Sequence, residues 1–355
     1  MAETTLSRLL EIIEKNEERA SRAGKFLKFS DKGAVDSLAE DLKSKSSENS
    51  IRRDPYWPKW NSPWWKMLLL MEMNQADRIP GSALDIMAAQ VKNQYPDYFP
   101  LTEDELPDGC DPYRDLLCHC AYGSIFKIFS AAGRNAEKDF PDAVKWFIRY
   151  QLPDGSLNCD EQGYTKSSQS GSFLSSLPPL EAVLLGLKRK LSDEEIVFLE
   201  RGNQYLIRRK LYKSIRKGMV PANPDFLKLV FPRFYDYDIL RGLRFCVRFA
   251  LALQKPLPVS AIIEAVELID SKIDENGLLP VERNIFSNSK TINPAGDGKW
   301  EKGAKADLFP LLEKMGETGK PSIFLSLEWY DVVYGIIHLS RLNLLSGSLA
   351  DKLRQ

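Results

Sequence analysis

Four segments spaced about 60 residues apart follow one plan, a helix of surface periodicity that runs into a polar turn, and such a period restricts the chain to repeat architectures. They begin at Ser82, Asp142, Arg201 and Glu264. More uniformly apolar stretches alternate with them: Pro63 to Met73, Asp115 to Ala132, Phe173 to Leu187, Asp238 to Leu253 and Leu327 to Leu342. No convincing period-two strand interrupts the pattern. Amphipathic helices alternating with helices that are apolar all round describe an outer ring packed on an inner one, an all-α fold that closes as an α/α toroid. An open solenoid is the competing arrangement, but it would leave one side of the apolar helices wet. The interval before the last apolar segment is longer, and Pro280 to Lys302, rich in Asn, Gly and Ser, reads as an inserted loop.

Two domains of unequal kind are expected. Residues 1–53 read as a lead helix, with Leu6, Leu9, Leu10 and Ile13 at helical spacing, followed by a polar linker, and residues 54–355 as the toroid. Forty-nine Lys and Arg balance 49 Asp and Glu, which argues against a nucleic-acid partner. The apolar runs are far shorter than the roughly 20 residues a membrane helix needs. Five cysteines without a regular framework suit free thiols in a reducing compartment, so a cytoplasmic location is expected, and the oligomeric state is left open.

The segment Phe147, Gln151, Asp154, Gly155 and Leu157 resembles the QW repeat of squalene cyclases: an aromatic residue, a Gln, a Gly turn and a bulky residue. Arg201, Gly202, Tyr205 and Leu206 resemble its opening, and Ile269, Asn276, Gly277 and Leu278 a more degenerate copy. Over roughly residues 55 to 342 the chain is similar to the terpenoid cyclases and protein prenyltransferases, and most of all to squalene-cyclase-like and prenyltransferase-like bacterial proteins with a single toroid. Cyclases proper use two such domains. The resemblance implies an apolar substrate, isoprenoid or similar, held in a central cavity.

It also implies roles for particular residues. Class II cyclases carry D-x-D-D at the start of an inner helix, and here Asp236-Tyr237-Asp238-Ile239 keeps the first two carboxylates. By resemblance Asp238 is the acid that protonates an alkene or epoxide and Asp236 its support, though Ile239 replaces the third carboxylate. The competing reading makes Asp236 a helix cap and Asp238 a first-turn carboxylate with Arg241 three residues on. Aromatic residues at the apolar-helix starts, Trp64, Trp65, Tyr122, Phe126, Tyr235, Trp329 and Tyr330, are either walls of a substrate cavity or ordinary core.

Cys118, His119, Cys120 and Cys159 form the third candidate, a zinc site. Consecutive helical residues point about 100° apart, so the first three cannot all converge on one ion, and any site would be composite. Buried thiols filling a helix face are the alternative. No P-loop, dinucleotide fingerprint, H-E-x-x-H or G-x-S-x-G occurs. Three functions therefore stand: a cyclase-like or prenyltransferase-like enzyme, a non-catalytic toroid that binds an apolar ligand or a partner protein, and zinc-dependent thiol chemistry.

Overall fold

Ser172, Ser192, Asp238 and Ser322 each accept a hydrogen bond from the backbone N–H three residues on. These caps satisfy donors that a helix start cannot pair internally and so fix where four of the long helices begin. The computed structural model describes residues 2–346. In chain order the helices are α1 (Ala2–Ala23), α2 (Lys32–Lys43), α3 (Lys45–Arg53), α4 (Pro63–Glu72), α5 (Gly81–Gln94), α6 (His119–Ala131), α7 (Ala136–Asp139) and α8 (Ala143–Arg149). They continue with α9 (Gln162–Thr165), α10 (Phe173–Gly186), α11 (Asp193–Arg208), α12 (Ile239–Leu253), α13 (Val259–Asp270), α14 (Pro310–Met315) and α15 (Ile323–Arg341).

The apolar segments form an inner ring in which α4 packs on α6, α6 on α10, α10 on α12 and α12 on α15. Outside it lie α5, α8, α11, α13 and α1, the last set against both α13 and α15. The gap between α15 and α4 is spanned by Arg233, whose backbone N–H bonds Glu72 of α4 (2.7 Å) and whose guanidinium bonds Glu328 of α15 (2.5 Å). The architecture is an all-α toroid of two concentric rings. Contact between α6 and α10 is closest where Gly123 faces the Pro178–Pro179 backbone, since a Cβ there would stand 2.5 Å from Pro178 C.

The segment preceding residue 54 packs on this body through α1, α2 and α3. Leu9 and Ile13 of α1 are buried, and its Asn16 accepts from the Trp329 indole N–H at 3.1 Å. The stretch expected as a polar linker forms α2 and α3, because Val35, Leu38, Leu42 and Ile51 recur at helical spacing and reach the core. The expected inserted loop contains an antiparallel hairpin of Lys290–Pro294 and Trp300–Lys305.

Gly155 and Gln151 show how the outer helices are joined. Gly155 has φ +90°, and a Cβ on it would lie 2.0 Å from the Arg201 carbonyl oxygen, so only glycine fits. The Gln151 amide donates to the Gly155 and Phe198 carbonyls at 3.0 and 2.9 Å, tying the end of α8 to α11.

Candidate ligand pocket and thiol cluster

Charge, unexpectedly, occupies the centre of the ring. Each inner helix contributes at least one ionic side chain to it: Glu72 from α4, Lys127 from α6, Glu181 from α10, Arg241 and Arg244 from α12, and Glu328 from α15. Arg241 grips Glu181 with two nitrogens at 3.0 and 2.7 Å, and Lys127 bonds the same carboxylate. Burial pushes the Glu181 and Glu328 carboxyls up, but their arginine and lysine neighbours outweigh it and hold both below the ordinary value. Glu72 differs: burial dominates and raises it, although it accepts the N–H groups of Arg233 and Phe234.

Asp238 belongs to this network. Its side chain is fully buried, with Oδ1 accepting from the Arg241 N–H (2.8 Å) and Oδ2 from the Val230 N–H (3.0 Å) and Arg233 Nε (2.8 Å). The helix cap is thus Asp238, and its ionic partner is Arg233. Asp236 accepts from the Tyr237 N–H and from Arg283 (2.6 Å). Neither carboxylate lies on the wall of the cavity described next.

That cavity, of about 640 Å³, sits at one end of the toroid where the loops leading into α4, α6 and α10 gather. Tyr56, Trp57, Tyr95, Phe99, Tyr113 and Leu117 supply its apolar walls; Lys59, Glu103, Arg114, Glu161 and the thiols of Cys118 and Cys159 are among its polar groups. Asp54 shapes one side: its Oδ1 accepts from the Tyr56 and Trp57 N–H groups at 2.9 and 2.8 Å, a tight turn that turns both rings inward. The Lys59 ammonium lies 5.2 to 5.8 Å from the ring centres of Tyr235, Trp57, Tyr56 and Trp60. Burial lowers its pKa, and no carboxylate pairs with it among the described residues.

Most aromatic residues singled out in the sequence lie elsewhere. Trp64, Trp65, Phe126 and Trp329 are fully buried core, Tyr330 bonds the Gly277 carbonyl, and Tyr122 borders a smaller cleft beside Trp146. Tyr235 is half-buried, stacked with Trp60 and near Lys59. The cavity's own Tyr56, Tyr95, Phe99 and Tyr113 were not singled out; their shared signal is an aromatic residue in a segment that precedes an inner helix.

Three thiols meet on one wall. Cys118 is the residue before α6 and is extended (φ −83°, ψ 163°), so helical divergence does not apply to it, and its Sγ lies 3.2 Å from Cys120 Sγ. Cys159 comes from the loop after α8, and the three sulfurs lie within 4.8 Å of one another. Cys159 Sγ also accepts from the Cys120 N–H at the start of α6. Contacts with the Cys120 and Cys159 thiols and the Ala121 N–H lower the Cys118 thiol, while its two neighbours are pushed up.

His119 faces away from the sulfurs. Trp146 Nε1, which can only donate, bonds its Nδ1 at 2.8 Å, so Nε2 carries the proton toward Tyr164 Oη at 3.0 Å. Burial lowers its pKa to about 4 and keeps it neutral. Tyr164 Oη in turn accepts from the Asn158 N–H at 2.9 Å, so the histidine holds in place the loop that carries Cys159.

The chain matches no protein-family profile and no curated protein. Among solved structures it is similar to variants of the type II terpene cyclase MstE from Scytonema. One, bound to its product merosterolic acid A, aligns at 12% identity over 86% of this chain and 99% of the other, with a TM-score of 0.25. Another, bound to its substrate geranylgeranyl dihydroxybenzoate, gives 12% identity, the same coverage and a TM-score of 0.26. The helix packing described above, not these alignments, carries the fold. No helix among the described residues is long and apolar enough to cross a membrane.

Proposed function

We propose that the chain binds an elongated apolar small molecule, of isoprenoid or similar hydrocarbon character, in the end cavity of the toroid. One observation carries this reading: a cavity of about 640 Å³ whose walls are mainly aromatic and aliphatic, with Lys59, Glu103, Arg114 and Glu161 as its charged groups. Its volume falls in the range of roughly 300–1,000 Å³ typical of small-molecule sites. The charged centre of the ring is a poor host for hydrocarbon, because an apolar guest would strip water from ionic groups without replacing their partners.

Lys59 narrows the ligand further. Its ammonium already occupies the faces of Tyr56, Trp57, Trp60 and Tyr235, so those rings favour a ligand with an electron-rich or anionic head over a carbocation. On this reading Asp236 and Asp238 hold the approach to α12 in shape and do not deliver a proton to substrate.

The test is extraction and mass spectrometry of the purified chain, followed by titration with farnesyl and geranylgeranyl alcohols and acids while tryptophan fluorescence is recorded. Saturable binding is expected, and Thr165→Trp, an exposed position on the cavity rim, should block it. Absence of a co-purified apolar molecule together with unsaturable titrations would refute the proposal.

A further inference from the structure

We infer that Cys118, Cys120 and Cys159 form a zinc site with its fourth position open to the cavity. Two segments about 40 residues apart in sequence bring three sulfurs together, as composite zinc sites do. Zinc bound at about 2.3 Å from each thiolate sets sulfurs roughly 3.8 Å apart. The observed group, with 3.2 Å between Cys118 and Cys120 and all three sulfurs within 4.8 Å, brackets that spacing. The shorter distance is well beyond the roughly 2.05 Å of a disulfide.

The surroundings fit a metal centre better than thiols used as filler. Cys118 and Cys159 are wall residues of the cavity, and Cys120 is buried. The Cys159 loop is anchored at each step: Cys159 N–H bonds Ser175 Oγ (2.9 Å), Asn158 N–H bonds Tyr164 Oη, and the Asn158 amide bonds the Ser170 carbonyl (2.7 Å). Zinc with three thiolates carries one net negative charge. Lys59, on the wall of the same cavity as Cys118 and Cys159 and with no carboxylate partner among the described residues, is the cation that answers it.

Three protein ligands leave one position for water or for a donor atom of the bound molecule, the arrangement of catalytic rather than structural zinc. The site therefore favours a ligand with a thiol or oxygen donor at its head and hydrocarbon behind. This assignment stands apart from the identity of the apolar ligand, because metal content is read with no ligand present.

The experiment is metal analysis of the full chain, purified under reducing, anaerobic conditions and loaded with zinc, followed by cobalt(II) exchange. One zinc per chain is expected, lost in Cys120→Ser and in Cys159→Ser but kept in Cys110→Ser, with circular dichroism confirming that each variant is folded. Zinc should protect three thiols from alkylation. The cobalt form should show thiolate charge transfer and tetrahedral bands that shift when a small thiol is added, the signature of an open position. Sub-stoichiometric zinc with all five thiols reactive, a Cys118–Cys120 disulfide in the isolated protein, or a cobalt spectrum indifferent to added thiol would each overturn the inference.

Discussion

Replacing Asp238 with asparagine separates a structural carboxylate from a catalytic one. Asparagine caps a helix about as well as aspartate, so the bond to the Arg241 N–H survives. What disappears is the charge that faces Arg233 Nε at 2.8 Å and the second acceptor oxygen shared with the Val230 N–H. Removing one member of a buried ion pair costs about 3–5 kcal/mol. Arg233 keeps Glu328 at 2.5 Å, which puts the expected loss near the lower end, about 3 kcal/mol. Asp238→Ala loses the cap as well and should cost about 1 kcal/mol more. The assay is urea denaturation followed by circular dichroism and tryptophan fluorescence. The double variant Arg233→Met, Asp238→Asn should lose less than the sum of its single changes, because the two side chains act as a pair. Ligand affinity in the end cavity should not change. An Asp238→Asn protein of wild-type stability that has lost conversion of an apolar substrate would refute this reasoning and restore Asp238 as an acid.

Other consequences are open to similar measurement. Lys59→Met should weaken an acid-headed ligand more than the matching alcohol, by an order of magnitude or more, since a hydrogen bond to a charged group contributes about 1.5–3 kcal/mol; equal effects on both would remove Lys59 from ligand recognition. Tyr164→Phe frees the Asn158 N–H and loosens the Cys159 loop, so zinc affinity measured by chelator competition should fall about 10–100-fold, as for other residues that support metal ligands. Gly155→Ala must place a Cβ against the Arg201 backbone at positive φ, and its denaturation midpoint should drop by the equivalent of at least about 1–3 kcal/mol. Acid should destabilise the ring through Glu181 and Glu328: both carboxyls lie below 4.5 when folded, so their contribution is complete above that value and is lost as pH falls through the lower folded values. Glu72 has the opposite sign, contributing below 4.5 and losing that contribution as pH rises through its raised folded value. Urea midpoints between about pH 5 and about pH 3 should therefore fall less steeply in Glu181→Gln than in the wild type.

The rings could be read from the chain because apolar periodicity reports burial, and α4, α6, α10 and α15 are among its most apolar helices, while α12 buries ten of its residues despite three arginines. The charges within the inner helices were the missed signal. Lys127 or Glu181 alone in an apolar helix looks like a solvated exception, and only when five helices converge does each find its partner. The part played by α2 and α3 was hidden by composition, since Ser, Lys, Asp and Glu dominate a stretch whose five buried apolar residues suffice to dock it. For the cysteines the angular argument for helical neighbours holds only inside a helix. Cys118 stands one residue before α6 in an extended conformation, and a boundary of one residue decides whether its sulfur meets Cys120. The cavity walls were the least legible, because Tyr56, Phe99 and Tyr113 sit in irregular segments where no periodicity tells which way a ring will face.

The most direct test of the ligand site is photo-cross-linking of the full chain with a diazirine-bearing geranylgeranyl probe, mapped by peptide mass spectrometry. Labels are expected between Tyr95 and Cys118 and between Cys159 and Thr165, and should be competed by unlabelled geranylgeranyl acid. Labels concentrated instead on Arg233 to Arg241, at the charged centre, would contradict the account.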